Sequence, residues 1–311
     1  MSANAAKPLV VGDRVAVVAT SSPVYQPERL TRGLAALRDA GFLIEWDPDV
    51  LTPRGYLAGT DTERARAFNR VLERSDIKGI FCTRGGYGAT RMLDQINYEA
   101  ARRNPKLLVG FSDVTALHLA LQKHAGWASL SGPVVAEWGE ISDVAKRDFL
   151  ALARGATPNP LLGPGGERLA ALREGSANGV LLGGNLSMVA RLIGTPYLPA
   201  HDGALLFLEE VGERPYRIDA LFSQLHNAGI LNSIGGLILG AFTGWESERS
   251  VPTLTPAEIF EDYFRDVRYP VATGLPYGHF PDRATVPIGV RARLTVTDGS
   301  AELAVLEPVV R

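Results

Sequence analysis

One cysteine in 311 residues leaves no partner for an internal disulfide, so the fold has to be held by a packed core. Positive charge is not in excess either: 32 Lys and Arg stand against 34 Asp and Glu, a net charge of −2. The basic residues are scattered, which removes the electrostatic footprint of a nucleic-acid binder. No apolar run approaches the roughly 18 residues of a membrane-spanning helix. The opening stretch MSANAAKPLVVGDRVAVVAT is broken by Gly12-Asp13-Arg14 and lacks the apolar segment of a secretory signal. These absences lead to the expectation of a cytoplasmic protein with neither nucleic acid nor membrane as partner. Cys82 sits inside the apolar run Gly79–Thr83, where it reads as a small buried hydrophobe.

What is present is an alternation. Apolar runs at Arg14–Thr20, Leu43–Trp46, Gly79–Thr83 and Leu107–Gly110 are separated by helical spacing at Glu28–Ala40, Asp61–Arg74, Gly88–Gln95 and Val114–His124. Strand and helix in turn predict a parallel α/β layer, and ligands of such sheets bind beyond the carboxyl ends of the strands. Around Arg154–Arg168 the texture becomes Pro- and Gly-rich and aperiodic. Short strand patterns follow at Gly179–Leu182, Ala204–Leu208, Gly235–Leu239 and Val290–Val296, with helical patterns at Arg217–Ala228 and Pro256–Phe264. The expected fold is α/β: a Rossmann- or flavodoxin-like domain over 1–153, a linker over 154–175, and a smaller β-rich α+β domain over 176–311.

Chemistry collects at two strand ends. Ser112 lies alone between the apolar Leu107–Gly110 and a helix, as either a helix N-cap or a nucleophile on a tight turn. Arg84-Gly85-Gly86-Tyr87-Gly88 follows another strand; its glycines suit a phosphate cradle, an oxyanion hole or a plain turn, and the spacing is neither G-x-G-x-x-G nor a P-loop. A serine nucleophile needs a base, and five histidines are available. His118 and His124 lie on the helix after Ser112, His226 within another helical pattern, and His201 in a turn. His279 falls in the irregular loop GLPYGHFPDRATVPIG, where working side chains concentrate. For a carboxylate, Glu209 and Glu210 end the apolar run Leu205–Leu208, and strand alternation does not choose between them because both faces are apolar. The histidines lack metal-ligand spacing and there is no cysteine cluster, so no metal is expected.

Six ordered stretches resemble the LD-carboxypeptidase family of serine peptidases, which also contains the microcin C immunity hydrolases. They are YLAGTD (56–61), RGGYGATRML (84–93), GFSDVTALH (110–118), GGNLSMVARLIGTPY (183–197), LEEVGERPYRIDALFSQL (208–225) and Gly278-His279. The resemblance implies Ser112 as nucleophile, His279 as base and Glu209 as the triad acid. Family members usually follow that acid with Asp, where Glu210 stands here. It also implies an oxyanion hole from the backbone N–H groups of Gly86 and Asp113. Ser131-Gly132-Pro133 stands where many relatives have His-Gly-Pro. The implied substrate is a murein tetrapeptide losing its terminal D-Ala, with Arg84, by position alone, as a candidate for the substrate carboxylate. The resemblance implies no cofactor, and a homodimer is the implied assembly. Two alternatives stand beside this reading: a microcin-type hydrolase of acidic aminoacyl-adenylate amides, and a non-catalytic binder of small anions. Ser112 and Glu209 are 97 positions apart (209 − 112); the resemblance implies a longer segment in the microcin branch, so this spacing favours the carboxypeptidase branch.

Overall fold

The computed structural model describes residues 4–46, 52–246 and 252–311. Strands β1 (Arg14–Val18), β2 (Leu43–Trp46), β3 (Ile77–Cys82), β4 (Leu107–Gly110) and β5 (Ser129–Ser131) form a parallel array in the order β2-β1-β3-β4-β5. Around them run α1 (Pro27–Asp39), α2 (Asp61–Glu73), α3 (Tyr98–Arg103), α4 (Thr115–Ala125) and α5 (Asp143–Ala153). Local chemistry sets their ends. Proline opens α1, and its buried Leu30, Gly33, Leu34 and Leu37 recur at one helical face. Thr60 and Glu63 form a capping box on α2, and left-handed Gly126 closes α4. β4 is buried along its whole length, as a central parallel strand should be.

A second sheet gathers β6 (Ala170–Arg173), β7 (Gly175–Asn185), β8 (Leu205–Val211), β9 (Gly236–Thr243) and β10 (Val271–Thr273) with two later strands. The chain first returns to the first sheet: β11 (Val286–Ile288) pairs antiparallel with β5. Then β12 (Arg291–Thr297) and β13 (Ser300–Val305) complete the order β13-β12-β7-β8-β9-β10-β6. Here β7, β8, β9 and β10 run parallel, while β6, β12 and β13 are antiparallel to their neighbours. The helices of this part are α6 (Leu186–Arg191), α7 (Pro215–Asn227), α8 (Ile230–Ser233) and α9 (Pro256–Phe264).

The fold is thus mixed α/β with two sheets, as the alternation predicts, and the second sheet has a parallel centre. Inside the linker expected over 154–175, Ala170–Arg173 pairs with β10. A four-residue edge strand has too few positions to display a period of two. One continuous buried cluster includes Val18 of β1, Leu108 of β4, Leu208 of β8 and Leu294 of β12. Both sheets therefore share a core, and the ends of β4 and β8 are brought to a common edge.

Candidate active site

The site begins where β4 ends. Ser112 has φ +64, a left-handed conformation strained for any residue with a Cβ. It caps neither the short 3₁₀ turn Ser112–Val114 nor α4, since the N-cap residues of both make no side-chain cap bond. Its Oγ instead lies 2.9 Å from His279 Nε2. The other ring nitrogen, Nδ1, is 2.8 Å from Glu209 Oε2. A carboxylate oxygen accepts, so Nδ1 carries the hydrogen and Nε2 presents a lone pair to the serine hydroxyl. Ser112, His279 and Glu209 are thereby brought into one hydrogen-bonded line, with the glutamate fully buried at its inner end.

The neighbouring acid has another partner set. Glu210 accepts the backbone N–H groups of Ser187 (2.8 Å) and Val211 (2.9 Å), which ties the start of α6 to β8. Asn185 Nδ2 donates to both acids, at 3.1 Å from Glu209 Oε1 and 3.1 Å from Glu210 Oε1. Its Oδ1 meanwhile accepts Met188 N–H and caps α6. The pairing of β8 with β9 shifts register between Leu208 and Glu210, an irregularity centred on Glu209.

The loop after β3 presses on the elbow. A Cβ placed on Gly85 would come within 2.9 Å of Ser112 Cβ, so a glycine is required for this approach. Gly86 has φ +109 and packs on Ser22, whose Oγ accepts Tyr87 N–H at 3.1 Å. Asp113 is buried, and its Oδ2 accepts Ala89 N–H at 2.8 Å, joining this loop to the elbow. Burial pushes the Asp113 carboxyl up, against hydrogen bonds and arginines that lower it.

Beneath the elbow, His118 is fully buried with Nε2 3.1 Å from Gly110 O and Nδ1 2.8 Å from Ser129 Oγ. A carbonyl only accepts, so Nε2 is the donor, and desolvation holds the ring neutral with its pKa pushed down to about 4. Ser131 Oγ lies 2.6 Å from the Tyr277 hydroxyl, both buried. The Phe111 ring centre stands 4.6 Å from that of His279, and the Arg283 guanidinium lies over the Phe111 ring, 3.9 Å from its centre. Arg283 pairs in turn with Glu137, which fixes the His279 loop to the first half of the chain.

Ser112 and His279 open into a cleft of about 490 Å³, whose walls include Tyr25, Arg29, Arg84, Gly86 and Glu137. Arg84 donates to Pro23 O at 3.2 Å and lies 5.3 Å from the Tyr25 ring centre, at the wall. Among the described residues no group of three or more His, Cys, Asp or Glu could hold a metal ion. No helix among them is long and apolar enough to cross a membrane.

Comparison with known proteins adds the family. Residues 15–132 match the LD-carboxypeptidase N-terminal domain, and residues 178–294 match the LD-carboxypeptidase C-terminal domain. The chain belongs to the LD-carboxypeptidase family. It is 38% identical over 308 residues to a Streptomyces coelicolor protein described as a carboxypeptidase, covering 95% of this chain and 94% of that one. It is 30% identical over 291 residues to the murein tetrapeptide carboxypeptidase of Pseudomonas aeruginosa, covering 91% and 94%. The structure of the Escherichia coli microcin C7 self-immunity protein MccF with aspartyl sulfamoyl adenosine superposes with a TM-score of 0.88 at 25% identity, covering 99% of each chain. The LD-carboxypeptidase described here is accordingly a hydrolase of serine-peptidase type.

Sequence reasoning assigned no role to Ser22, Asn185, Tyr277 or Arg283. Ser22 had one available signal, a hydroxyl just past a parallel strand. Asn185 had another, an amide directly before a helix.

Proposed function

We propose that this LD-carboxypeptidase hydrolyses the L–D amide bond between meso-diaminopimelate and the terminal D-Ala of a murein tetrapeptide, using Ser112, His279 and Glu209 as a triad. The observation that carries the reading is the line Glu209–His279–Ser112, at 2.8 and 2.9 Å, ending in an open cleft. Ser112 Oγ attacks the scissile carbonyl as His279 Nε2 takes its proton, and Glu209 stabilises the imidazolium. The N–H groups of Gly86 and Asp113 receive the oxyanion. Collapse of the tetrahedral adduct breaks the C–N bond, and His279 returns the proton to the departing D-Ala amine. Water activated by His279 then hydrolyses the ester and frees Ser112. Arg84 at the cleft wall is the cation proposed to meet the substrate's terminal carboxylate. In this reading residues 1–153 carry the nucleophile and oxyanion donors, residues 176–311 carry acid and base, and the enzyme serves peptidoglycan recycling.

The test is release of free D-Ala from the tetrapeptide, read by mass spectrometry, with Ser112→Ala alongside. Release by the parent and a loss on the order of 10⁴ or more in the variant is the expected result. Equal release by both would reduce Ser112 to a structural residue. The MccF neighbour is solved with aspartyl sulfamoyl adenosine, so an enzyme that leaves the tetrapeptide intact but cuts an aminoacyl-adenylate amide would move the substrate to that branch and keep the triad.

A further inference from the structure

We propose that Ser22 is a positioning residue for the oxyanion hole, acting through the Gly85–Tyr87 turn; this rests on the reading of Gly86 N–H as an oxyanion donor. Ser22 grips the turn on both sides of Gly86. Its N–H donates to Gly85 O at 3.4 Å, and its Oγ accepts Tyr87 N–H at 3.1 Å. The two bonds span one residue, Gly86, whose φ of +109 is glycine territory. A Cβ there would collide with Ser22 Oγ and Cβ, so the turn lies directly on the serine.

Gly85 O is on the same peptide as Gly86 N–H, so the Ser22 bonds at Gly85 O and at Tyr87 N–H together set the direction of Gly86 N–H. That group has no acceptor among the described residues, which leaves it available to an oxyanion. The far end of the loop is held separately, by Asp113 Oδ2 on Ala89 N–H at 2.8 Å. Ser22 is itself fixed: it is 6% exposed and sits between the end of β1 and Pro23, whose carbonyl accepts from Arg84 at 3.2 Å. A preorganised donor is effective because no reorganisation is left for the moment of reaction. Without the Ser22 hydroxyl, Tyr87 N–H turns toward water, and only the long 3.4 Å bond at Gly85 O still holds the glycine peptide.

The experiment uses Ser22→Ala in the full-length enzyme, with Ser22→Cys, similar in shape and a weak acceptor, should the alanine variant fold poorly. Three quantities are read: kcat and KM for D-Ala release, the rate of inactivation by a fluorophosphonate, and the melting temperature. The phosphonyl oxygen occupies the oxyanion position, so its reaction reports the donors without the peptide. The expected result is a fall in kcat of roughly 10- to 100-fold, below the 10²–10³ for removing a donor outright because the donor stays but wanders. Inactivation should slow by the same factor, with KM within about two-fold, the pattern of an interaction made only in the transition state. Unchanged kcat and inactivation in a folded variant would overturn the proposal. So would a loss confined to KM or to melting temperature. A parent that does not react with fluorophosphonate would overturn the reading of Ser112 and this one with it, whereas a reactive parent with an equally reactive Ser22→Ala removes Ser22 alone.

Discussion

Lowering the pH from 7.5 to 5 should destabilise the protein through His118, and the size of the effect follows from its surroundings. The ring is fully buried between Gly110 O and Ser129 Oγ, and desolvation pushes its pKa from the ordinary 6.5 down to about 4. The folded value is depressed, so the stability is complete above pH 6.5 and is lost as pH falls from 6.5 toward 4. In that window the unfolded chain binds a proton that the native ring refuses. At pH 5 the unfolded imidazole lies about 1.5 units below its pKa, which at 1.36 kcal/mol per unit amounts to about 2 kcal/mol. The buried carboxyl of Asp113, raised in pKa, works in the opposite direction, so the parent curve alone does not isolate His118. His118→Gln does, because its amide still donates to Gly110 O and has nothing to titrate. Urea unfolding at pH 7.5 and pH 5, followed by tryptophan fluorescence, should show the parent losing about 2 kcal/mol more than the variant. Parallel losses in the two proteins would refute the assignment of a neutral, desolvated ring beneath the elbow.

Three further outcomes are expected. Glu209→Gln should lower kcat by on the order of 10³–10⁴, since the amide no longer holds the His279 tautomer, while Glu210→Gln should act mainly on stability, by about 1–3 kcal/mol, by disturbing the carboxylate that accepts Ser187 and Val211 N–H; steady-state rates beside urea melts of both variants separate the acids. Arg84→Ala should raise KM for the tetrapeptide by roughly ten-fold with kcat changed far less, the pattern of a lost charge-assisted hydrogen bond to bound substrate; a rate loss at saturating substrate would argue against that role. Cys82, fully buried with its thiol pushed up to about 12 by desolvation, should resist iodoacetamide in the native protein and react only on unfolding, as peptide mass mapping would show.

How far the site was legible depends on the range of the interaction that defines each residue. Ser112 stood out as a lone hydroxyl between a buried strand and a helix, yet cap and nucleophile share that sequence. What the structure adds is φ +64 and a hydrogen bond to a residue 167 positions away, neither of which the local sequence displays. Glu209 and Glu210 look alike in a strand apolar on both faces, and the register shift between Leu208 and Glu210 has no sequence signature. Periodicity likewise misses α6 and α8, which at six and four residues are too short to show a helical face. With those helices unseen, the second half reads as mostly strand, and the parallel run from β7 to β10 stays hidden.

The path of the chain explains how Glu209 and His279, from the second half, come to meet Ser112 from the first. After β10 the chain leaves the second sheet, passes through Tyr277 and His279, and enters the first sheet as β11 beside β5, with Val286 opposite Ser131. His279 therefore sits on the crossing itself, held at both ends by different sheets. Each end is anchored near the chemistry. Ala241 N–H donates to Tyr277 O at 2.9 Å, next to the residues that oppose Glu209 on β9. Tyr277 OH meets Ser131 one residue beyond β5's midpoint, and Arg283 grips Glu137. A side chain between two such anchors has little room to drift from either Glu209 or Ser112. That restriction is what general base catalysis asks of an imidazole, which must stay within hydrogen-bond reach of two partners at once.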